Sequence, residues 1–347
     1  MNGKTFIQAL QGKKTEKVPF WFMRQAGRYL PEYRELRAKK GGFLEMVYDP
    51  ESAAEITLQP IRRFGMSAAI LFSDILVIPH ALGQTLEFAA GEGPRLDPVT
   101  DIADLKKLSF GGIDETLSPI YQTLRNVREG LAGEGFYDTA LIGFAGSPWT
   151  VVCYMVEGQG SKDYLTVKEL SYSNPEFFAA LIDLVTEATV HYLLKQIEAG
   201  AEALQLFDSW AGALDAESFR RWCIEPTAKI VQKIRAVHPE IPIIGFPRGA
   251  GIHYEAYARE TGVTALGLDP SIDTAWAAEN LQILCPIQGN LEPALLLAGG
   301  AALEQAARSI LDNLASGPFI FNLGHGIHKD TPIGHVEALV KIIEGYR

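Results

Sequence analysis

Four arginines stand close together near the start of this chain, at Arg24, Arg28, Arg34 and Arg37. They follow an apolar run at residues 18–22 that predicts a strand. Arginine suits the binding of carboxylates, because its planar guanidinium donates two parallel hydrogen bonds and keeps its charge. The whole chain carries a net charge of −11, so this cluster is a local exception. It indicates a site for a ligand with several carboxylates.

These arginines also have a simpler interpretation as a solvated, charged helix face. Arg34 falls on a predicted helix beside Glu32 and Glu35, where exposed ion pairs contribute little, so a surface role and a binding role remain equally open for it. Arg24 and Arg28 come directly off a strand end beside a glycine. That position favours a binding role for these two.

Asp74 is a single acid between two apolar runs, at residues 70–72 and 75–78. A carboxylate in such surroundings is costly to bury unless it is paired. In the first, purely structural interpretation, Asp74 caps the following helix or pairs with a core arginine. The other interpretation is a carboxylate fixed in a dry pocket, where it accepts N–H donors or stabilises a cation.

A strand end, a glycine turn and a helix start follow one another at residues 143–150. The free N–H groups of such a helix start can bind an anion. One turn further on, Tyr154 is either a core aromatic residue or a ligand contact.

Two further strand ends carry polar groups, Asp208 with Ser209 and the glycine-flanked His325. A Ser–His–Asp triad is disfavoured, because Ser209 lacks the G-x-S-x-G elbow. The glycines beside His325 suit a phosphate site, and the histidine would equally donate to a carboxylate or a carbonyl. The glycine loop at residues 245–251 lacks the Gly-Lys-Ser/Thr of a P-loop and is a weak phosphate signal.

Composition limits the class of protein. With 347 residues, 47% hydrophobic and 21% charged, the chain fits one large α/β domain, residues 1–347. A pI near 5.2 argues against nucleic acid or an anionic membrane as partner. The polar start of the chain predicts no secretory signal, and we expect no bilayer-spanning stretch. Three isolated cysteines indicate a reducing cytoplasm, and no metal-ligand spacing is present.

Eight apolar runs alternate with amphipathic helical patterns, which predicts a (β/α)8 barrel. The predicted strands are residues 18–23, 68–72, 140–143, 203–207, 241–245, 265–268, 285–288 and 319–322. An insertion after the second strand predicts a hairpin at residues 86–96 and a helix at 115–130. A doubly wound sheet is second choice, because no strand is followed by G-x-G-x-x-G.

A barrel places its catalytic groups just after the carboxyl ends of its strands. Those positions are residues 24–28, 73–74, 143–149, 208–209, 247–248, 269, 289–290 and 324–325. They hold arginines, acids, hydroxyls and one histidine, which predicts a polar, anion-binding cavity at one end of the barrel.

Several of these segments together resemble the uroporphyrinogen decarboxylase family along the whole chain. The segments that carry the resemblance are residues 19–34, 58–64, 69–76, 143–158, 207–210 and 322–326. The resemblance implies a (β/α)8 enzyme that needs no cofactor and no metal, acts in the cytoplasm and forms a homodimer with facing clefts. It implies conversion of the four acetates of uroporphyrinogen III to methyls, giving coproporphyrinogen III and four CO2. The substrate cleft that it implies is lined by Arg24, Gln25, Ala26, Gly27, Arg28, Arg37, Phe43, Asp74, Tyr154, Ser209 and His325.

The residues fit that chemistry. A substrate with eight carboxylates needs an arginine-rich cleft, and a protonated pyrrole ring takes up the electrons left by CO2. Asp74 would hold the pyrrole N–H groups and stabilise this cation, while Arg28, Arg24 or a water that they hold would supply the proton. Two alternatives remain, a zinc-dependent, corrinoid-linked methyltransferase of the same superfamily and a non-catalytic porphyrinogen-binding barrel.

Overall fold

A curled sheet of parallel strands forms the centre of the protein, in a computed structural model that describes residues 3–89 and 93–346. The strands of these residues are β1 (Ala68–Ile70), β2 (Leu86–Ala89), β3 (Gly93–Leu96), β4 (Ala140–Gly146), β5 (Ala203–Asp208), β6 (Ile243–Pro247), β7 (Ala265–Gly267), β8 (Ile287–Leu291) and β9 (Phe319–Leu323). Seven of them pair in parallel, in the order β1-β4-β5-β6-β7-β8-β9. Strands β4, β6, β8 and β9 are buried along their whole length, as expected for a parallel sheet covered by helices.

Helices connect these strands and cover the sheet, which makes the fold α/β. The helices are α1 (Thr5–Leu10), α2 (Pro31–Lys40), α3 (Phe43–Val47), α4 (Pro50–Phe64), α5 (Val77–Ala81), α6 (Ile102–Leu105), α7 (Ile113–Gly133), α8 (Pro148–Glu157), α9 (Leu165–Ser173), α10 (Pro175–Glu198), α11 (Ala216–Phe219), α12 (Glu225–Val237), α13 (Tyr254–Thr261), α14 (Thr274–Asn280), α15 (Pro293–Ala298), α16 (Gly300–Leu314) and α17 (Ile333–Glu344). Proline in the first turn of α2, α4, α8 and α10 fixes where these helices begin.

The first predicted strand, residues 18–23, is an extended segment with one isolated bridge, between Phe20 and Phe321. It nevertheless lies between the two edge strands, because the Phe321 N–H donates to the Pro19 carbonyl at 2.9 Å and the Ser67 N–H donates to the Phe20 carbonyl at 2.9 Å. Side chains replace part of the ladder on the donor side: the Trp21 N–H donates to the Phe321 carbonyl at 3.3 Å, whereas the Phe20 N–H donates to the Ser67 hydroxyl and the Met23 N–H to the Asn322 amide oxygen. The proline lacks an N–H altogether.

Helix α1 covers the amino-terminal end of the sheet. Phe6 and Leu10 of this helix share a buried cluster with inward-facing residues such as Trp21 and Ile244. The ammonium group of Lys4 donates to the Thr139 carbonyl at 2.8 Å, just before β4 begins. With this end closed, the carboxyl ends of the strands are left for a site.

Strands β4 and β8 extend three residues further than predicted at their carboxyl ends. Strand β4 continues to Gly146, because Gly143 is a packing glycine rather than a turn glycine: a Cβ there would collide with the side chain of Gln196. Strand β8 continues to Leu291 although Asn290 is polar, because its amide donates to the buried carbonyls of Asp269 and Ile272. Residues 289–290 are therefore inside a strand, and the prediction that they follow a strand end is wrong.

Strands β2 and β3 pair in antiparallel register, and helix α7 spans Ile113–Gly133. The turn was predicted at residues 91–94; residues 91–92 lie outside the described residues, whereas Gly93 and Pro94 belong to β3, so that half of the turn prediction is wrong. Helix α10 is long and apolar enough to cross a bilayer by length and composition, contrary to the sequence prediction. Within the protein, 61% of its most apolar window is buried, as in a core helix.

Candidate active site

A cavity of about 2130 Å³ opens at the carboxyl ends of the strands. Typical small-molecule sites measure roughly 300–1000 Å³, so this one has room for a large ligand. All eleven residues that the family resemblance implies for the cleft line it: Arg24, Gln25, Ala26, Gly27, Arg28, Arg37, Phe43, Asp74, Tyr154, Ser209 and His325. The strand ends bring together residues that lie some 300 positions apart in the chain.

The loop that carries the first two arginines is held by buried hydrogen bonds. Gln25 is only 1% exposed; its amide donates to the Ala68 carbonyl at 3.0 Å and accepts from the Phe22 N–H at 3.1 Å. The Tyr29 hydroxyl donates to the Gln25 carbonyl at 2.7 Å. Gln25 therefore lines the cavity with its polar atoms already engaged, and its contribution is to brace this loop.

Arg24 adopts a left-handed backbone conformation, with a φ of 59°. This conformation costs energy for a residue with a side chain, and such residues cluster at functional sites. The Arg24 side chain passes over Gly326. A Cβ added to Gly326 would lie 2.6 Å from the Cγ of Arg24 and collide with that side chain. Gly326 thus makes room for Arg24, which is a different use from the phosphate site that the glycines near His325 suggested.

Arg28 and Arg34 have different surroundings. The Arg28 side chain is exposed and lines the cavity. Arg34 is exposed outside it and donates to the backbone carbonyls of Arg28 and Tyr29 at 2.9 and 3.2 Å. Its expected partner Glu32 instead forms a two-fold hydrogen bond with Arg63. Arg34 is therefore a solvent-exposed brace for the loop, so the solvated interpretation holds for its exposure and fails for its ion pair with Glu32.

Arginines in the cavity differ from those on the outer helices in their partners. Five arginines outside the cavity meet a carboxylate within 3.0 Å: Arg62, Arg63, Arg220, Arg259 and Arg308. Within residues 3–89 and 93–346, none of the cavity arginines forms an ion pair: Arg24, Arg28, Arg37 and Arg248. An unpaired group of four cations inside an acidic protein is suited to a polyanionic ligand.

Asp74 is half-buried and faces this cavity. Its carboxylate accepts the Leu76 N–H at 2.8 Å, just before α5 begins. Burial raises the pKa of Asp74 above its usual range, while the Leu76 hydrogen bond and the charge of Arg24 act in the opposite direction. Asp74 thus caps a short turn with one oxygen and still presents a carboxylate to the cavity, so both sequence interpretations hold in part.

Tyr154 is a cavity residue held by aromatic neighbours. Its ring centroid lies 4.2 Å from that of Trp210, and Tyr164 packs against the same indole at 4.9 Å. Burial, then the negative charge of Asp74, raises the pKa of Tyr154 to about 12, so its phenol keeps its proton and can donate to an anion.

The start of helix α8 already has an anion of its own. The Thr150 hydroxyl donates to the Asp208 carboxylate at 2.6 Å, and the Cys223 thiol donates to its other oxygen at 3.0 Å. Burial raises the pKa of Asp208 to about 6, against the hydrogen bonds from Cys223 and from the hydroxyl and backbone of Thr150. The predicted anion site at residues 143–150 is therefore filled by Asp208, which ties α8 to the loop carrying Ser209.

His325 and Ser209 both line the cavity, but neither side chain hydrogen-bonds to any other described residue. Burial, together with the charges of Arg24 and Arg248, lowers the pKa of His325 to about 4. The imidazole is neutral at pH 7 and can donate one hydrogen bond. No serine–histidine pair is formed, in agreement with the sequence argument against a triad.

Arg248 is a cavity cation that the family resemblance does not include, although the strand pattern puts it at a strand end. Lys162 and Lys168, on the connection around α9, line the cavity as well, and no sequence motif marks them. The glycine loop after β6 binds a carboxylate of this chain instead of phosphate: the Gly249 N–H donates to Asp269 at 2.8 Å. Among the described residues, no three His, Cys, Asp or Glu side chains are placed to hold a metal ion.

A family model described as Uroporphyrinogen decarboxylase (URO-D) matches residues 1–346. The chain belongs to the uroporphyrinogen decarboxylase family. A relative named uroporphyrinogen decarboxylase from Novosphingobium aromaticivorans is 54% identical over 340 residues, which cover 98% of each chain. One of the same name from Rhodospirillum rubrum is 52% identical over 344 residues, covering 99% of this chain and 98% of the relative.

Solved structures of other enzymes share the fold. A methyltransferase from Methanosarcina mazei superposes with a TM-score of 0.78 at 20% identity, covering 98% of this chain and 97% of that one. A B12-independent methionine synthase from Shewanella sp. W3-18-1 gives a TM-score of 0.55 at 8% identity, over 94% and 93% of the two chains. At these identities the likeness concerns the fold alone.

Proposed function

We propose that this protein decarboxylates the four acetate side chains of uroporphyrinogen III, giving coproporphyrinogen III and four CO2 in porphyrin and haem biosynthesis. The observation that carries this proposal is the cavity itself, in which four arginines without carboxylate partners line the same space as the half-buried Asp74. Membership of the uroporphyrinogen decarboxylase family supports it over the whole chain. A tetrapyrrole with eight carboxylates has the charge and the size that such a cavity favours.

Loss of CO2 requires a sink for the electrons of the broken bond. Protonation of the pyrrole carbon framework makes the ring cationic, and the ring then takes up those electrons as CO2 leaves. We assign Asp74 to the pyrrole N–H groups and to this cation, because a fixed carboxylate in apolar surroundings stabilises a developing positive charge. The apolar neighbours Phe72, Ile75 and Leu76 line the same part of the cavity and limit screening by water.

The proton comes from Arg28, Arg24 or a water that they hold. Guanidinium is a weak acid, so the water that it polarises is the chemically easier donor of these three. Tyr154, Ser209 and His325 are assigned to peripheral carboxylates, since each can donate one hydrogen bond. Gln25, Ala26, Gly27, Arg37 and Phe43 complete the proposed cleft.

We further propose one closed (β/α)8 domain over residues 1–347, in which residues 18–23 take the place of the eighth strand of the barrel. The hydrogen bonds of Phe20 towards Ser67 and of Pro19 and Trp21 towards Phe321 support this closure. The proposed working form is a cytoplasmic homodimer with facing clefts that uses neither cofactor nor metal. The net charge of −11 supports a small-molecule substrate over nucleic acid or an anionic membrane.

The test is anaerobic incubation of the purified protein with uroporphyrinogen III, without added metal or cofactor. Oxidation of the products to porphyrins and chromatographic separation by carboxylate number give the extent of reaction. We expect successive loss of four carboxylates with CO2 release. Tight binding of the substrate without any loss of carboxylates would support the porphyrinogen-binding barrel instead. Absence of both binding and turnover would refute the decarboxylase and the porphyrinogen-binding barrel alike.

A further inference from the structure

Arg248 stands on the wall of the cavity farthest from the arginines of the first loop. It follows β6, and three strands separate β6 from residues 18–23 in either direction around the sheet, β1, β4 and β5 on one side and β7, β8 and β9 on the other. The Arg248 side chain is exposed and lines the cavity. It makes no hydrogen bond or ion pair with any residue of 3–89 and 93–346.

The backbone around Arg248 is fixed from three sides. Its N–H donates to the Asp208 carbonyl at 3.0 Å, and its carbonyl accepts the Gly212 N–H at 3.0 Å. The next N–H, of Gly249, donates to the Asp269 carboxylate, which also accepts the buried Tyr254 hydroxyl at 2.9 Å. A cation presented by so constrained a backbone loses less freedom when it binds an anion.

Glycines allow this turn to pack closely. Gly249 has a φ of 77°, and a Cβ on Gly212 would lie 2.6 Å from the Gly249 carbonyl oxygen. The Asp269 carboxylate is held by Ser271 as well, whose hydroxyl donates at 2.6 Å. With these hydrogen bonds acting against burial, the pKa of Asp269 lies below its usual range, so the acid is charged and engaged behind the turn. It is bound to the backbone and leaves the Arg248 guanidinium to a ligand.

The charges of Arg24 and Arg248 both reach His325, since both lower the pKa of this histidine. The two guanidinium groups therefore act on the same interior space from opposite walls. The imidazole lines the same cavity, is neutral at pH 7 and does not neutralise either one. A bound anion is the natural counter-charge for Arg248.

We propose that Arg248 binds a propionate carboxylate of the substrate, on the wall opposite the reacting acetate. This inference rests on the proposed function. The reacting acetate lies near Asp74 and the arginines of the first loop, which supply the counter-ion and the proton, so the opposite wall faces a part of the macrocycle that does not react. Propionates stay on the ring through all four decarboxylations, and a contact with one of them is equally strong in the ground state and the transition state. Such a contact lowers KM and leaves kcat unchanged.

The experiment compares Arg248→Met and Arg248→Lys with the wild-type protein. Arg308→Met is the matched control, because Arg308 lies on α16 and pairs with Glu304 outside the cavity. The measurements are KM and kcat for porphyrinogens with eight and with five carboxylates, and the inhibition constant of coproporphyrinogen III, whose carboxylates are all propionates. Thermal melts accompany each variant.

For Arg248→Met we expect a rise of roughly 10- to 100-fold in KM for both substrates and in the inhibition constant, as for loss of a charge-assisted hydrogen bond. We expect kcat to stay within about twofold. For Arg248→Lys we expect KM and inhibition constants between those of the wild type and those of Arg248→Met, because lysine keeps the charge and loses the planar fork. The control and all melting temperatures should match the wild type.

Three results would overturn the proposal. Unchanged KM and inhibition constants would mean that Arg248 does not contact the substrate. A higher KM for uroporphyrinogen with an unchanged inhibition constant for coproporphyrinogen would mean that Arg248 binds an acetate. A fall in kcat at unchanged KM would put it in the chemical step. All three presuppose an active wild type, whereas a wild-type protein that releases no CO2 would refute the proposed function itself.

Discussion

Replacement of Asp74 by asparagine is the most direct test of the proposed chemistry. The substitution keeps the size of the side chain, and its amide oxygen can still accept the Leu76 N–H that the carboxylate now accepts at 2.8 Å. It removes the negative charge that we assign to the cationic pyrrole. It also turns part of the acceptor surface into an N–H2 donor, which opposes the pyrrole N–H groups.

The expected loss follows from the surroundings of the carboxylate. Two unit charges about 4 Å apart interact by about 4 kcal/mol at an effective dielectric constant of about 20, which suits a half-buried group among apolar side chains. That energy corresponds to about three powers of ten in rate. Loss of one preorganised electrostatic group from an enzyme typically costs roughly 10²- to 10³-fold. We therefore expect kcat/KM of Asp74→Asn to fall by roughly 10²- to 10³-fold.

The stability of the Asp74→Asn variant should stay the same or increase, although its activity falls. Burial raises the pKa of Asp74, so the folded protein binds this proton more tightly than the unfolded chain. The stability that the protonated form provides is lost as the pH rises from the unfolded pKa through the folded pKa. At neutral pH the charge is a net cost to folding, and the asparagine variant should melt at the same temperature as the wild type or higher. The acid limb of wild-type kcat/KM should likewise lie above the pH expected for an ordinary aspartate.

The assay is anaerobic turnover of uroporphyrinogen III from pH 5 to 9, with products separated by carboxylate number and thermal melts run in parallel. Asp163→Asn is the matched control, because Asp163 lines the same cavity at an exposed position and has no hydrogen-bond or ion-pair partner among residues 3–89 and 93–346. Its loss should change kcat/KM by about twofold or less. A folded Asp74→Asn variant with near-wild-type turnover would refute the electrostatic role. A variant that melts far below the wild type would show that the carboxylate is structural.

Four further outcomes are expected. Arg28→Lys should weaken kcat/KM by roughly 1–3 kcal/mol, because lysine cannot form two parallel hydrogen bonds to a carboxylate, and equal effects in the surface control Arg308→Lys would contradict this. Gly326→Ala should fold, yet lose activity as an Arg24 variant does, because the new methyl group occupies the space of the Arg24 side chain; wild-type kcat/KM would disprove it. Activity should survive exhaustive chelation, with metal content measured alongside, and restoration of a lost activity by zinc would favour a methyltransferase-like chemistry. Higher ionic strength should raise KM for uroporphyrinogen, as measured by initial rates in increasing salt.

The parts of the fold that depend on local pattern were predictable from the sequence. Apolar runs and proline at helix starts indicated seven of the strands of the sheet and helices such as α4 and α10, and the strand-end rule brought the cleft residues to one cavity. The predictions that failed concern contacts with residues far away in the sequence. The ladder expected at residues 18–23 is partly replaced by side-chain acceptors on Ser67 and Asn322, which lie far away in sequence.

At the site, the roles of glycines and charged groups could not be predicted from the sequence alone either. A glycine reports only that a side chain is not tolerated, and the sequence does not say whether a turn, a ligand or another residue occupies the space. Gly143 was expected at a strand end before a glycine turn and packs inside β4 against Gln196, while Gly326 was expected near phosphate and leaves room for Arg24. The helix start at residue 148 was expected to bind an external anion and is satisfied by Asp208. Each of these outcomes requires knowledge of the neighbour in space.

The contrast between the charge of the chain and the charge of the cavity follows from pairing. Acids on the outer helices pair with arginines such as Arg62, Arg63 and Arg308, and the excess of acids over bases in the whole chain gives the net charge of −11. At physiological ionic strength such charges are screened beyond about 8 Å. A polyanionic substrate that has entered the cavity therefore interacts mainly with the unpaired arginines that line it, on the first loop, on α2 and after β6. The net charge governs solubility and long-range repulsion, whereas the positions left without a carboxylate partner determine what binds.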